Sequence, residues 1–256
     1  MNEEIMAFVA VNYGTQSLIY KYASSIKALI PNAIIVVVDN YFSEIERAEV
    51  TALCKNLDVT LVKNKNNGYG NGLEVGVSYL KSNNISVSLL VLSNIDIIFS
   101  RFDYKRVDYS CGFIPKLERG GDASENVFMT HFQRRFLFVH RIPFFRKNKY
   151  IFLSKIILFK ILKIIPSDIW AIHGSCFIFY YKDEAIQQPI FNSKTFLYSE
   201  ELEVASYMEA NCMPLLSSNI HFEHVGGVST NRLFPSLSKK IDIFVDSFDN
   251  WYKRWR

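Results

Sequence analysis

Asp39 and Asp96 each stand just past an apolar run, in "AIIVVVD" and "VSLLVLSNID", and Asn12-Tyr13-Gly14 stands past another, "IMAFVAV". A carboxylate so placed either caps a following helix or binds Mg²⁺ or Mn²⁺. Between them "NNGYGNGLEVG", residues 66–76, holds Gly68, Gly70, Gly72 and Gly76, four of the eleven glycines in the chain. Such a cluster lets a ligand approach the backbone, and if it opens a helix its amides can meet an anion. A turn without a ligand is the alternative. Taken together, Asp39, Asp96 and the glycine loop suit a nucleotide diphosphate, with one carboxylate for the nucleobase, one for a metal, and backbone near the phosphates.

These residues need elements that carry them to one edge. Apolar runs at 5–11, 33–39, 58–63 and 87–93 read as strands, and helix-period patterns fill 15–29, about 43–56 and 72–82. In 15–29 the apolar positions Leu18, Ile19, Tyr22, Ile26 and Leu29 share one face, and Ser43 is placed to cap the second helix. Strands alternating with helices predict an α/β domain around a mostly parallel sheet, whose ligands lie beyond the carboxyl ends of the strands. Asn12–Gly14, Asp39-Asn40, the glycine loop and Ser93–Asp96 all fall at that edge. Only one glycine follows the first strand, and no Walker A lysine is present, so the dinucleotide fingerprint and the P-loop do not fit.

At 256 residues, 49% hydrophobic and 21% charged, the chain suits one folded domain. Cys54, Cys111, Cys176 and Cys212 are far apart and form no C-x-x-C pair, which predicts buried, reduced thiols. His221 and His224 with Cys212 make a thin case for zinc. The start, "MNEEIMAFVAVNYG", does not read as a signal peptide, and no uncharged apolar stretch approaches the ~20 residues of a spanning helix, so the cytoplasm is expected. His173-Gly174 in "WAIHGSCFIF" reads as the start of a strand, the histidine being either a hydrogen-bonded core residue or a contact to an acceptor or phosphate.

Residues 126–167 hold nine Lys or Arg and no acid, interleaved with Phe, Ile and Leu. A basic amphipathic helical insertion resting on an anionic bilayer fits this composition, and nucleic acid fits it less well. A helix pair with a solvated basic face is the plainer reading. The terminal "WYKRWR" repeats the aromatic and basic mix.

The order of "VNYGTQSLIYKYASSI", "VVVDN", "NNGYGNGLEVG", "LSNID", "HGSCFIF", "FLYSEELEVASYM" and "HFEHVGGVST" resembles the family 2 nucleotide-sugar glycosyltransferases of the GT-A fold, and within them the bacterial rhamnosyltransferase-like branch. The resemblance implies a donor site made by Asn12, Tyr13, Gly14, Asp39, Asn66, Gly68, Gly70, Gly72, Asn94 and Asp96. It implies a divalent metal, Mn²⁺ or Mg²⁺, on Asp96 and His224. Glu200 and Glu201 match an acidic pair whose second member is the usual general base, although an acidic pair at a helix start also compensates the helix dipole. Glu74 stands where the family often has asparagine, "DNYFS" replaces a shorter loop, and Glu201 replaces aspartate.

The expectation is therefore a single GT-A-type domain with a donor half (1–125), the insertion (126–167), and an acceptor and catalytic half with a C-terminal helix (168–256). His173 and Gly174 fall on the acceptor side. The implied activity is inverting transfer of a hexosyl or deoxyhexosyl unit to a glycan or lipid-linked glycan in O-antigen or capsule synthesis, at the inner face of the cytoplasmic membrane. A non-catalytic nucleotide-sugar or glycan-binding protein on the same fold is the rival. Oligomeric state is not legible.

Overall fold

The computed structural model describes the chain apart from residues 1–3, 41–42, 143–148, 163, 165–166, 183–188, 193, 226–235 and 256. Its first half alternates as the apolar pattern predicts: β1 (Met6–Asn12), α1 (Gln16–Leu29), β2 (Ile34–Asp39), α2 (Glu44–Asn56), β3 (Thr60–Lys63), α3 (Tyr69–Ser82) and β4 (Leu89–Asn94). The four strands pair in parallel in the order β3-β2-β1-β4. Helix α1 buries Ile19, Tyr22, Ala23 and Ile26, a spacing that sets one face on the sheet. Ser43 caps α2 by accepting the Glu46 N–H at 3.3 Å.

The second half contains β5 (Ile97–Asp103), β6 (Cys111–Arg119), β7 (Asp122–Glu125), β8 (Val127–Thr130), α4 (His131–Arg134), a 3₁₀ turn (Leu137–Arg141), α5 (Lys149–Leu162), β9 (Ile169–Ile172), β10 (Cys176–Tyr180), α6 (Glu200–Ala210), β11 (Leu215–His224) and α7 (Leu237–Trp255). Here the sheet is mixed. Strand β10 runs antiparallel between β4 and β6, while β11 lies parallel to β6 and antiparallel to β5. Only Ile95 and Asp96 separate β4 from β5, yet β5 lies at the far end of the strand order. The sheet curls to allow this: the Phe99 and Phe102 rings pack on Phe8 of β1 at 5.6 and 5.4 Å, and the Phe99 N–H donates to Ser25 of α1 at 3.2 Å.

Alternation along β1 divides the core. Ala7, Val9 and Val11 face α3 and α6 together with Leu73, Val77, Phe177 and Tyr207, whereas Phe8 and Ala10 face α1 with Ile19, Tyr22, Phe99 and Phe222. A third cluster, Met129, Leu137, Trp170, Leu202, Phe248 and Trp251, joins residues of the basic segment to α6 and α7. That segment differs from the expected helical insertion at its start, where β8 pairs antiparallel with β9.

The glycine cluster also differs from the expectation. Helix α3 begins at Tyr69, ahead of the predicted Gly72, so Gly70, Gly72 and Gly76 lie inside it. A Cβ at Gly72 would lie 2.8 Å from Val11, and one at Gly76 would collide with Val9. These two glycines bring α3 down onto β1; the close neighbour is the protein's own sheet, not a ligand. Gly68 is the exception at the turn, with φ +108° and the Phe196 carbonyl directly against it.

Cys54, Cys111 and Cys176 are buried as expected; Cys212 is exposed, in the left-handed turn after α6 (φ +52°). Among the described residues, no helix is long and apolar enough to cross a membrane.

Candidate active site

A cleft of about 430 Å³ opens at the carboxyl edge of the parallel strands. Its floor is made by Val11 and Tyr13 at the end of β1, Asn40 after β2, Asn66, Gly68 and Tyr69 where α3 begins, and Asn94 to Asp96 at the end of β4. Phe128, His173 to Ser175, Phe196 to Tyr198, Glu200 and Glu201 form the facing wall, and His224 closes one end. The cleft thus gathers Tyr13, Asn66, Gly68, Asn94, Asp96, His173, Gly174, Glu200, Glu201 and His224 of the residues singled out by sequence.

Asn12, Gly14, Asp39, Gly70 and Gly72 do not line it. Asn12 and Asp39 lie behind the floor, 1% and 3% exposed. Asn12 donates to Asp39 at 3.0 Å and accepts from the Thr15 hydroxyl at 3.0 Å. Arg47 of α2 donates to the other Asp39 oxygen at 3.3 Å. The carboxylate assigned to a nucleobase is therefore engaged by its neighbours and holds the β1 and β2 turns together. Asn40 takes the cleft-facing place beside it, donating to the Gly68 carbonyl at 3.1 Å and accepting from Asn64 at 2.9 Å. Gly14 is left-handed at φ +62°, which lets β1 turn sharply into α1.

At the end of β4, Asp96 Oδ1 lies 3.1 Å from His224 Nε2, and Asn94 Nδ2 lies 3.3 Å from the same nitrogen. The Val225 N–H donates to the Asp96 carbonyl at 2.9 Å, so the end of β11 is stitched to this turn. Asp96 Oδ1 is buried and makes no hydrogen bond of good geometry. An oxygen and an imidazole nitrogen converging on one point suit a divalent cation whose remaining ligands come from a diphosphate. Among the described residues, no group of three His, Cys, Asp or Glu forms a self-sufficient metal cage. His221 is engaged elsewhere, with Glu118 at 2.8 Å and Asn219 at 2.9 Å.

The acidic pair opens α6. Tyr198 and Ser199 before it are both left-handed, at φ +68° and +70°, a conformation that costs about 1–2 kcal/mol per residue. The bend sets Glu201 against the β9–β10 turn and Glu200 against Gly70 of α3. Glu201 Oε1 accepts the Gly174 N–H at 3.1 Å, and the Tyr69 hydroxyl donates to the Gly174 carbonyl at 3.2 Å. His173 therefore lies in this turn, between β9 and β10, and does not start a strand; its Nδ1 accepts the Ser175 N–H at 3.2 Å. Glu200 is 4% exposed, and its Oε1 has no hydrogen-bond partner. Burial, reinforced by the charges of Glu201 and Glu203, pushes its pKa from 4.5 up to about 8, so it keeps its proton at neutral pH.

Glu74 explains one departure from the family pattern. Its Oε2 accepts the N–H groups of Ile190 and Phe191 at 2.9 and 3.1 Å, and the Phe196 carbonyl accepts the Tyr69 N–H at 2.9 Å. The chain leading to Glu200 is thereby clasped to both ends of α3's first turns. Sequence reasoning missed Tyr69, Phe128, Ser175, Phe196 and Tyr198 in the cleft, and placed Asn40 at the edge without giving it a role. Tyr69 and Asn40 sit within motifs already marked, whereas Phe128 and Phe196 come from stretches with no periodic or charge signal.

No protein-family model matches the sequence, and no curated protein matches it. Solved structures match in fold. The structure of GalNAc-T7 with UDP, GalNAc and Mn²⁺ superposes with a TM-score of 0.59 at 12% identity, covering 98% of this chain and 49% of that one. The mannosyltransferase PcManGT from Pyrobaculum calidifontis, in complex with GDP-Man and Mn²⁺, superposes with a TM-score of 0.50 at 13% identity, covering 90% of this chain and 60% of that one. The chain spans about half to three fifths of the length of these proteins. The fold is that of the GT-A glycosyltransferases.

Proposed function

We propose that the protein is an inverting glycosyltransferase that moves a sugar from a nucleoside-diphosphate donor to a hydroxyl of a glycan acceptor. The observation that carries this reading is the meeting, in one cleft of a GT-A fold, of the Asp96–His224 pair with the Glu200–Glu201 pair. One pair suits a diphosphate and its counter-ion; the other suits an acceptor hydroxyl.

In this reading Tyr13 and Asn40 flank the nucleobase, while Asn12 and Asp39 hold their turns from behind. Asn66, Gly68 and Tyr69 lie along the sugar diphosphate. Asp96 and His224 would hold Mn²⁺ or Mg²⁺, which offsets the charge growing on the departing diphosphate. Glu201, oriented by the Gly174 N–H, takes the proton of the acceptor hydroxyl as that oxygen attacks the anomeric carbon opposite the leaving group, so the configuration inverts. Glu200, neutral beside it, avoids placing a second negative charge against the first. His173 and Gly174 border the acceptor side. Positioning supplies much of the rate, because the floor and wall fix both reactants relative to the carboxylate.

The solved GalNAc-T7 and PcManGT complexes support a nucleotide-sugar partner and a divalent cation. A lipid-linked acceptor in bacterial surface polysaccharide synthesis, met at the inner face of the cytoplasmic membrane, is the setting proposed. The test is release of free nucleoside diphosphate from a panel of nucleotide-sugars with Mn²⁺ and candidate acceptors. Glu201→Gln should lower turnover by ~10²-fold or more with donor affinity unchanged. Donor binding without release in the wild-type protein would instead support a nucleotide-sugar-binding protein on the same fold. Loss of activity in Glu200→Gln but not in Glu201→Gln would move the base to Glu200.

A further inference from the structure

Helix α5 presents apolar residues outward. Tyr150, Ile157, Leu158 and Ile161 follow one another at spacings of seven, one and three, and are 70, 60, 42 and 56% exposed; Ser154 falls on the same line. Ile164, 79% exposed, continues the stripe in a turn whose N–H donates to the Ile161 carbonyl at 3.0 Å. The flank from Leu162 round to Phe159 is the one that packs. Leu162 is buried, Phe159 joins the cluster around Trp170 and Trp251, and the Phe159 carbonyl accepts from Gln133. Phe138 and Ile142, 58 and 39% exposed, extend the apolar surface toward α4. Seven of the thirteen large exposed hydrophobics of the described residues thus fall within 138–164.

The sequence around this surface is basic. The segment 126–167 has nine Lys or Arg and no acid, its nearest acids in sequence being Glu125 and Asp168. Lys160 and Arg135 are exposed. A groove of about 440 Å³ runs between α4 and α7, lined by His131, Arg134, Arg135, Trp251 and Tyr252 among others. Arg134 is already committed, in a two-pronged pair with Glu209 at 2.6 and 2.8 Å and stacked 4.7 Å over Trp170. It fixes the groove, and Arg135 carries the exposed charge at its mouth. An anionic bilayer complements the exposed apolar stripe and the exposed Lys160 and Arg135 at once.

We infer that the outward face of α5, with the α4–α7 groove beside it, docks on an anionic phospholipid bilayer, the aliphatic stripe entering the acyl boundary and the cations meeting lipid phosphates. Phe128 in β8 lines the catalytic cleft and His131 lines the groove, so the docked face and the cleft are joined by one short stretch of chain. Delivery of a membrane-borne acceptor along that stretch rests on the function proposed above; the docking does not.

The experiment is flotation of the full chain with vesicles of phosphatidylglycerol or of phosphatidylcholine across a salt series. Binding to the anionic vesicles should weaken as salt rises without vanishing, because the apolar contribution is unscreened. Ile157→Asp with Ile161→Asp should lower binding at least tenfold at all salt concentrations. Arg135→Glu should lower it roughly tenfold or more at low salt only. Unchanged thermal unfolding of both variants shows that their folds survive. Equal binding to both lipids, no binding to either, or anionic binding indifferent to the Ile157 and Ile161 changes would overturn the inference. So would a dimer in sedimentation analysis that the double aspartate variant dissociates, since a second copy would then cover the stripe. Vesicle binding in a protein that releases no nucleoside diphosphate would sustain the docking while removing the transferase reading.

Discussion

Replacing Glu200 by Gln should stabilise the protein, and increasingly so as pH rises. In the unfolded chain this glutamate ionises above about 4.5, but in the folded protein burial and the neighbouring acids hold the proton until about pH 8. Between those values unfolding releases a proton, so the contribution of Glu200 to stability is intact below pH 4.5 and is lost progressively up to pH 8. The loss is at most about 3 kcal/mol at pH 7. Glutamine is neutral in both states and removes this slope. Near pH 4 the variant and the parent should melt together; at pH 7–8 the variant should melt higher, by about 2–4 °C per kcal/mol for a chain of this size. The assay is thermal unfolding of both proteins from pH 4 to 9, read as the difference between them so that other titrating groups cancel. A variant destabilised equally at every pH would show that Glu200 is ionised in the fold and that its unpartnered oxygen is satisfied by other means.

Asp96→Ala should abolish the Mn²⁺-dependent part of donor binding while leaving unfolding nearly unchanged, because the side chain sits at a strand end; titration calorimetry with and without Mn²⁺ checks this. Gly76→Ala gains up to about 1 kcal/mol of helix propensity but forces a methyl against Val9, so the net change should be a destabilisation of about 1–2 kcal/mol in urea unfolding, and a more stable variant would contradict the close approach of α3 to β1. Glu74→Ala should release the clasp on the chain before α6, seen as at least tenfold faster hydrogen exchange at the Ile190 and Phe191 amides with little change in β1.

The parallel half of the sheet was readable because β1, β2 and β4 are continuous apolar runs separated by helix-period segments, as fully buried strands are. The mixed half carries no such mark. β7 is a short exposed strand, β8 lies in a stretch dominated by basic and aromatic residues, and β11 reads "LLSSNIHFEH", which alternates only in part. The glycine spacing was visible but its cause was not: whether a missing side chain admits a ligand or a neighbouring strand depends on Val9 and Val11, some 60 residues away. The same holds for Asp39, whose partner Arg47 had to be delivered by the turn of α2. The acidic pair and Asp96 were legible by type and position. Their gathering into one cleft depends on contacts such as Tyr69 with Gly174, 105 residues apart, which no local pattern encodes.

The two-residue step from β4 to β5 has a consequence for how the molecule is made. Asp96 sits on that step, yet its companion His224 and the strand that seats it, β11, emerge from the ribosome roughly 130 residues later. At about 5–20 residues per second, synthesis leaves a nascent chain for several seconds with its first four strands complete and the Asp96–His224 pair and the acidic pair unformed. The parallel half can fold early; the cleft cannot be completed until β11 arrives. Closing so distant a pairing is slow for entropic reasons, and until β11 arrives the edges of β5 and β6 are open to other chains. The cleft is thus the last part of the protein to be assembled, and a ligand held across it would act as a latch on the finished topology.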